Sequence, residues 1–127
     1  MSLSQFVDHL VFRVAELDKT ERFYTTVLEQ EPQRADDSLM YRVGDTLLFF
    51  TPCNRTKKGR YEKENVGLNH LAFGVRTGEE LQSVRTRLDR AQIVHSGIRQ
   101  DRYGLKDFIW LDDPDNMRIE FYFRPSS

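Results

Sequence analysis

Two histidines and one glutamate have the residue types and positions that a metal site requires. His9 and His70 occupy the same place in two similar segments, residues 7–14 and 68–75, and Glu120 lies in an alternating segment near the end of the chain. Imidazole nitrogens and carboxylate oxygens bind divalent transition metals, and three such ligands leave coordination positions for water and substrate. Such a site would act as a Lewis acid or as an oxygen-activating centre.

The two histidine segments are predicted to be strands of a duplicated unit. Residues 7–14 are Val-Asp-His-Leu-Val-Phe-Arg-Val and residues 68–75 are Leu-Asn-His-Leu-Ala-Phe-Gly-Val. Because side chains alternate along a strand, Leu, Phe and the final Val share one face and the histidine lies on the other. The apolar face needs a helix packed on it. Strands related by duplication would direct both imidazoles into one shared cavity.

Glu120 is expected to face the same cavity from the last strand, residues 117–123. This strand alternates between an apolar face and a polar face, the latter formed by Arg118, Glu120 and Tyr122. A carboxylate flanked by Ile and Phe is costly to bury unless a positive group meets it, and a metal ion would do so. Arg118 and Tyr122 would hydrogen-bond this carboxylate or bind a substrate anion, with a simple structural ion pair as the alternative.

Composition indicates one ordinary domain. The chain has 127 residues, of which 39% are hydrophobic, and this length can bury roughly two thirds of the unfolded surface. Its single cysteine, Cys53, cannot form an internal disulfide, so we expect a reducing, cytoplasmic location. A net charge of −1 argues against nucleic acid as a partner, and no segment approaches the roughly 20 apolar residues of a membrane span.

The first half of the chain, about residues 5–53, is predicted to follow a strand, helix, strand, strand, strand order. Residues 18–21, Asp-Lys-Thr-Glu, are similar to a capping box, so a helix should begin there. An apolar stripe within residues 23–28 would cover the first strand, and Pro32 should end the helix. A short strand and a hairpin of residues 39–43 and 46–51 follow.

The second half, about residues 66–124, repeats that order after a charged linker of about residues 54–65. Thr77 and Glu80 form a capping box before a helix with Leu81, Val84 and Leu88 on one stripe. Strands are then predicted at residues 93–95, 107–111 and 117–123. Two βαβββ modules therefore make up a single domain.

These segments together resemble the vicinal oxygen chelate superfamily, the glyoxalase, bleomycin resistance protein and dioxygenase family. The resemblance is carried by residues 7–14, 23–28, 68–73, 95–97 and 113–120. It implies an α+β fold in which two βαβββ modules form an open, cup-shaped mixed sheet with helices outside, frequently in a homodimer. The modules could pair within one chain or swap across the dimer.

The resemblance also implies a metal-dependent enzyme. The ligand positions of the family carry over onto His9, His70 and Glu120, which would hold Fe, Mn, Zn, Ni or Co. The ion would bind two adjacent oxygens of a small substrate while Glu120 or a metal-bound water moves a proton. The reaction could be that of a lyase, an isomerase, a dioxygenase or a thiol transferase. A metal-free protein that binds an antibiotic or metabolite is the alternative, and a structural, partner-binding role is the third.

Departures from the family pattern narrow these choices. Glyoxalase I enzymes supply a fourth ligand from the strand corresponding to residues 46–51, where this chain has Thr-Leu-Leu-Phe-Phe-Thr, so lactoylglutathione chemistry is disfavoured. Extradiol dioxygenases have Tyr and Gly where this chain has Trp110 and Asn116, so ring cleavage is disfavoured too. Fosfomycin-resistance enzymes use a His, His, Glu set, but the rest of their pocket is not recognisable here.

Several other residues are candidates for substrate binding. Arg102 and Tyr103 lie in a loop that should border the cavity mouth, where they would orient a substrate or simply be solvated. Phe49 and Trp110 are either core residues or an aromatic lining suited to a small, partly apolar ligand.

Overall fold

Each half of the chain folds as a strand, a helix and three further strands. The computed structural model describes residues 4–54, 59–104 and 106–126. The chain divides into an N-terminal unit, residues 1–59, and a C-terminal unit, residues 60–127. This boundary falls within the predicted linker, of which residues 55–58 lie outside the described residues.

The N-terminal unit contains one helix and a four-stranded mixed sheet. Its elements are β1 (His9–Val14), α1 (Leu17–Leu28), β2 (Gln33–Ala35), β3 (Ser38–Val43) and β4 (Thr46–Pro52). The strands are ordered β1-β4-β3-β2, with β1 parallel to β4 and the other pairs antiparallel. The parallel pair requires a crossover, which α1 and the β2–β3 hairpin provide.

The C-terminal unit repeats this topology. Its elements are β5 (His70–Val75), α2 (Gly78–Arg90), β6 (Arg99–Gln100), β7 (Asp107–Asp112) and β8 (Arg118–Phe123). The strand order is β5-β8-β7-β6, and β5 is again parallel to its neighbour β8. The predicted α+β fold with two βαβββ modules is confirmed.

Each helix covers one face of its own sheet, as the apolar stripes predict. In the N-terminal unit Tyr24 and Val27 are buried on α1, and the Tyr24 ring packs 4.5 Å from that of Phe50 on β4. In the C-terminal unit the predicted stripe of α2 is entirely buried, as are the sheet residues Ile109 and Ile119. The stripe consists of Leu81, Val84 and Leu88. The opposite face of each sheet carries the histidine.

The two helices begin in different ways. Thr77 caps α2 as predicted, because its Oγ1 accepts from Glu80 N at 3.1 Å and Glu80 Oε1 accepts from Thr77 N at 3.0 Å. The predicted capping box at residues 18–21 is wrong, since Glu16 is the N-cap of α1 and, among the described contacts, no side chain caps it. Glu21 instead pairs with Arg34 of β2.

The end of α1 also differs from the prediction. The helix stops at Leu28, before Pro32, because Glu29 takes a left-handed conformation with φ of 52°. The Glu29 and Gln30 amides then donate to the carbonyls of Thr26 and Thr25. The chain therefore leaves the helix before proline can act on it.

The second strand of the C-terminal unit lies further along the chain than residues 93–95. The strand β6 is formed by residues 99–100, and His95 makes only an isolated bridge to Leu111. Regular strand pairing is interrupted after His95. The chain turns at Gly97, whose φ is 73°, and Trp110 N donates to the Ser96 side-chain Oγ at 2.9 Å. Across the described ranges, neither helix is long and apolar enough to cross a membrane.

Candidate functional site

The face of the C-terminal sheet that α2 leaves uncovered brings His70 and Glu120 together. In the parallel register Glu120 lies beside Ala72, two residues beyond His70 on the same face of β5. His70 Nε2 is 3.5 Å from Glu120 Oε1. The Glu120 side chain is only 12% exposed, whereas the His70 side chain is 41% exposed. A buried carboxylate therefore sits below an accessible imidazole, as the alternation predicts.

The imidazole of His70 is held by the residue before it. Asn69 Oδ1 lies 2.8 Å from His70 Nδ1, while the Asn69 amide nitrogen donates to Lys63 O at 2.9 Å. Since an amide oxygen can only accept, the neutral ring carries its proton on Nδ1. The Nε2 lone pair then faces Glu120.

Glu120 has an unusual electrostatic environment for a carboxylate. Burial raises its pKa above the ordinary value, and the positive charges of His70 in its protonated form and of Arg118 oppose that shift without cancelling it. Asp101 adds a further, repulsive contribution. The ionised form of Glu120 is therefore only partly compensated by its protein neighbours.

Arg118 is fixed on the same face by two contacts. Its Nε donates to Asp112 Oδ1 at 2.7 Å, and its guanidinium carbon lies 4.0 Å from the centre of the Trp110 ring. Trp110 is also the antiparallel neighbour of Glu120. Arg118 thus forms a structural ion pair, the alternative considered from the sequence, and its partner is Asp112. It also holds a positive charge near the Glu120 carboxylate.

Tyr122 and the loop after β6 form the remaining side of this face. The Tyr122 ring stacks on Phe108 with centroids 5.1 Å apart. Burial and a hydrogen bond to the Asp101 carboxylate raise the pKa of Tyr122 to about 12. This hydroxyl therefore remains protonated and donates to Asp101.

An open groove of about 550 Å³ lies along this loop. It is lined by residues 99–103 together with Phe108 and Trp110. The Arg102 guanidinium lies 5.6 Å from the ring centre of Tyr103, which is 87% exposed. The structure thus places Arg102, Tyr103 and Trp110 on one groove, while the exposure of Tyr103 also fits a solvated loop.

The N-terminal sheet carries a related but different arrangement around His9. Asp8 Oδ2 lies 2.7 Å from His9 Nδ1, and the Phe49 ring meets the imidazole edge-on at 5.8 Å. In the N-terminal sheet Phe49 is the strand neighbour of Val11, which lies two residues after His9. In the C-terminal sheet Glu120 is the strand neighbour of Ala72, two residues after His70, so Phe49 occupies the position that corresponds to Glu120. The N-terminal sheet therefore has the histidine without the carboxylate.

Within the described residues, no three His, Cys, Asp or Glu side chains form a cluster that could hold a metal ion. His70 and Glu120 are adjacent, whereas His9 belongs to the other unit. His95 has a structural role, because its Nε2 meets Asp89 Oδ1 at 2.6 Å and its Nδ1 accepts from Gly97 N at 2.9 Å.

Sequence reasoning missed the residues that hold the site in place. Asn69 and Asp8 each precede a histidine and each provide a side-chain oxygen, a shared feature that the repeat displays. Asp101 and Asp112, which bind Tyr122 and Arg118, could not be found in this way because neither precedes a histidine and both contacts depend on how the strands pair.

Comparison with known proteins gives the family. The family model for the Glyoxalase/Bleomycin resistance protein/Dioxygenase superfamily matches residues 6–121. Among curated sequences, none matches this chain significantly.

Solved structures show the same fold. A glyoxalase family protein from Enterococcus faecalis is 23% identical with a TM-score of 0.76, over 94% of this chain and 98% of that one. A lactoylglutathione lyase from Agrobacterium tumefaciens is 16% identical with a TM-score of 0.72, over 97% and 96%. The fosfomycin resistance protein FosX from Mesorhizobium loti is 15% identical with a TM-score of 0.68, over 97% and 94%. With the family model spanning nearly the whole sequence and the fold in agreement, this chain belongs to the Glyoxalase/Bleomycin resistance protein/Dioxygenase superfamily.

Proposed function

We propose that this chain is a cytoplasmic, metal-dependent enzyme that acts on a small molecule with two adjacent oxygens. In this proposal His9, His70 and Glu120 are the metal ligands. One observation carries it: His70 Nε2 faces the buried carboxylate of Glu120 at 3.5 Å while Asn69 engages Nδ1. The assignment of His9 rests on the repeat and on Asp8, which engages His9 Nδ1 in the same way.

The donor pair fits a divalent ion. Two ligand atoms that each lie about 2.1 Å from one ion are separated by roughly 3.0 Å at an octahedral angle and roughly 3.4 Å at a tetrahedral angle. The observed separation of 3.5 Å is close to the second value. A cation there would also compensate the ionised form of Glu120, which burial disfavours.

A divalent ion held by these residues would supply Lewis acidity toward the two adjacent oxygens of a substrate. Glu120 is the proposed proton carrier of this face. Asp112 is engaged by Arg118 and Asp101 by Tyr122, whereas burial raises the pKa of Glu120 and favours its protonated form. In the metal-free protein this raised pKa brings Glu120 closer to neutrality than an ordinary carboxylate. A bound cation would favour its ionised form, which is the form that accepts a proton.

Substrate contacts are proposed for the side chains around this pair. Trp110 forms a flat apolar wall, and Arg102 and Tyr103 present a cation and an aromatic ring at the groove. Arg118, fixed by Asp112, would attract a substrate anion without moving, and Tyr122 would add a fixed apolar ring. These contacts suit a small, partly aromatic anion.

Phe49 distinguishes this proposal from lactoylglutathione chemistry. It occupies the position of Glu120 in the N-terminal sheet, where a hydrocarbon ring cannot bind a metal. We therefore propose a three-ligand site with Phe49 as an apolar wall beside His9.

We also propose that the protein forms a homodimer. The strand β1 is at the edge of its sheet, and Phe6 and Val7, which precede it, are 62% and 59% exposed. Unpaired edge strands with apolar neighbours favour association with another chain. Light scattering on the full chain should give a mass of two copies, and a monomer at micromolar concentration would contradict this.

The metal assignment is tested by titrating untagged, chelator-treated protein with Mn, Fe, Co, Ni and Zn in a calorimeter. His9→Ala, His70→Ala and Glu120→Ala should each lower the affinity by at least tenfold while the fold persists. His95→Gln is the matched control, because both ring nitrogens of His95 are already engaged, and it should bind as the wild type does. Equal affinity in all four variants would refute the ligand set.

Enzymatic function is tested separately with the best metal. An α-hydroxy ketone is incubated with the loaded protein in heavy water, and exchange of its carbon-bound proton is followed by NMR. Exchange that is lost in Glu120→Gln supports the proposal. If tight metal binding is accompanied by no exchange and no turnover of epoxide with thiol or of catechol with oxygen, the proposed enzymatic function is wrong.

A further inference from the structure

We propose that Asn69 is a positioning residue that sets the tautomer of His70 and so directs its Nε2 lone pair toward Glu120. The consequence for metal affinity rests on the proposed function. The tautomer itself is a property of the metal-free protein and can be measured without any metal.

The acceptors around Nδ2 determine the orientation of the Asn69 amide. Nδ2 donates to Lys63 O at 2.9 Å and lies 3.5 Å from Glu64 Oε1. Two acceptors on that side require the NH2 group there, and Oδ1 must then face His70 Nδ1, at 2.8 Å. If the amide were reversed, its oxygen would face two other acceptors, Lys63 O and Glu64 Oε1.

The segment that supplies this carbonyl is itself anchored. Tyr61 N donates to Asp115 O at 2.9 Å, and Asn116 Nδ2 donates to Tyr61 O at 3.1 Å, so the segment is held to the turn between β7 and β8. The Tyr61 hydroxyl also donates to Leu68 O. Lys63 O is therefore a fixed reference for Asn69 and, through it, for His70.

The tautomer follows from these contacts. An amide oxygen has no proton to give, so the bond at 2.8 Å requires that His70 Nδ1 be the donor. In the neutral ring Nε2 is then unprotonated, and it lies 3.5 Å from Glu120 Oε1. Outer partners that orient a ligating imidazole in this way typically contribute 10-fold to 100-fold to metal affinity.

The other two histidines support the inference by comparison. His9 has the same arrangement, with Asp8 Oδ2 at 2.7 Å from Nδ1. His95 has the reverse, because Gly97 N donates to its Nδ1 and Nε2 faces Asp89. One protein therefore contains both tautomers, and His95 provides an internal NMR reference for the Nε2-protonated form.

Two substitutions separate the possible roles of Asn69. Asn69→Leu has a similar size but removes both polar groups. Asn69→Asp keeps an acceptor for His70 and loses the donor to Lys63 O. Because Asn69 is exposed, neither variant should prevent folding, and thermal melts will verify this.

Long-range nitrogen–proton NMR spectra of the metal-free proteins at about pH 9, above the ordinary range of imidazole titration, report the tautomer. We expect His70 to be Nδ1-protonated in the wild type and in Asn69→Asp, and mainly Nε2-protonated in Asn69→Leu. Zinc affinity should fall 10-fold to 100-fold in Asn69→Leu and by less than threefold in Asn69→Asp.

The positioning role is overturned if Asn69→Leu keeps the wild-type tautomer. It is also overturned if Asn69→Asp behaves like Asn69→Leu, since the amide would then serve only as an anchor to Lys63. If the tautomers change as expected but even the wild type binds no metal, the positioning role stands and the proposed metal function fails.

Discussion

Replacement of Glu120 by Gln is expected to reverse the stability order of wild type and variant when a divalent ion is added. In the metal-free protein burial raises the pKa of Glu120, and His70 and Arg118 oppose this only in part. The folded state therefore retains the proton to higher pH than the unfolded state does. The contribution of Glu120 to stability is fully present below the unfolded pKa and is lost as pH rises through the folded pKa.

The uncharged Gln avoids that loss, so metal-free Glu120→Gln should be the more stable protein at neutral pH. Each unit by which the folded pKa exceeds the unfolded pKa corresponds to about 1.4 kcal/mol in the free energy of unfolding. A metal that binds only the folded wild type adds about 2.7 kcal/mol at 100 times its Kd. For 127 residues this corresponds to a rise of about 10 °C in Tm.

Thermal melts followed by circular dichroism, with chelator or with saturating zinc, measure both effects between about pH 4 and pH 8, which spans the ordinary carboxyl range. Glu62→Gln, which neutralises an exposed carboxylate of the same unit, is the matched control and should follow the wild type throughout. The reasoning is refuted if metal-free Glu120→Gln is less stable than wild type at neutral pH. A zinc-induced rise in Tm equal to that of wild type would refute it as well.

Three further predictions concern the starts of the two helices and the contact between Tyr122 and Asp101. Thr77→Ala should lower the free energy of unfolding by about 1 kcal/mol because it removes the α2 cap, with the exposed Ser83→Ala as control; a urea-melt difference below about 0.3 kcal/mol would contradict this. Glu16→Ser should stabilise α1 by about 0.5–1 kcal/mol, since it supplies the side-chain cap that the helix start lacks in the described residues, and a loss of stability would count against it. Asp101→Asn should lower the pKa of Tyr122 from about 12 in an ultraviolet titration, because it removes the carboxylate that accepts the hydrogen bond of the Tyr122 hydroxyl. An unchanged pKa would mean that burial alone raises the pKa of Tyr122.

Much of the fold follows from local patterns in the sequence. Alternation assigns opposite faces to Leu71 and His70, and the structure confirms this because the parallel register keeps every second residue on one face. The stripe of α2 and its capping box are similarly local. These features involve residues within one helix or along one strand, so they need no knowledge of the tertiary structure.

The wrong predictions occur where side chains make contacts that the local pattern of residue types does not show. Glu21 forms a plausible capping box with Asp18, but in the structure it binds Arg34, which is distant in sequence, and α1 begins earlier. The sequence pattern predicts a strand at His95, whereas its two ring nitrogens bind Asp89 at the end of α2 and the Gly97 amide in the turn that follows. Alternation and capping patterns describe residue types along one element and do not reveal such side-chain partners.

The site was predictable only where it depends on the alternation of side chains along a strand. The pairing of His70 with Glu120 follows from strand parity once β5 and β8 are neighbours. The contact of Arg118 with Asp112 and Trp110 depends on the β7–β8 register, which the sequence does not specify. The ligand role of His9 remains a prediction from the repeat.

The central claim is that His9, His70 and Glu120 bind one divalent ion. Mass-spectrometric metal analysis of untagged protein, purified without chelator and then dialysed against each candidate ion, tests it most directly. We expect near-stoichiometric metal in the wild type and near-background metal in a folded His9→Ala, His70→Ala, Glu120→Ala triple variant. Equal metal content in the two proteins, or no uptake of any ion by the wild type, would contradict it.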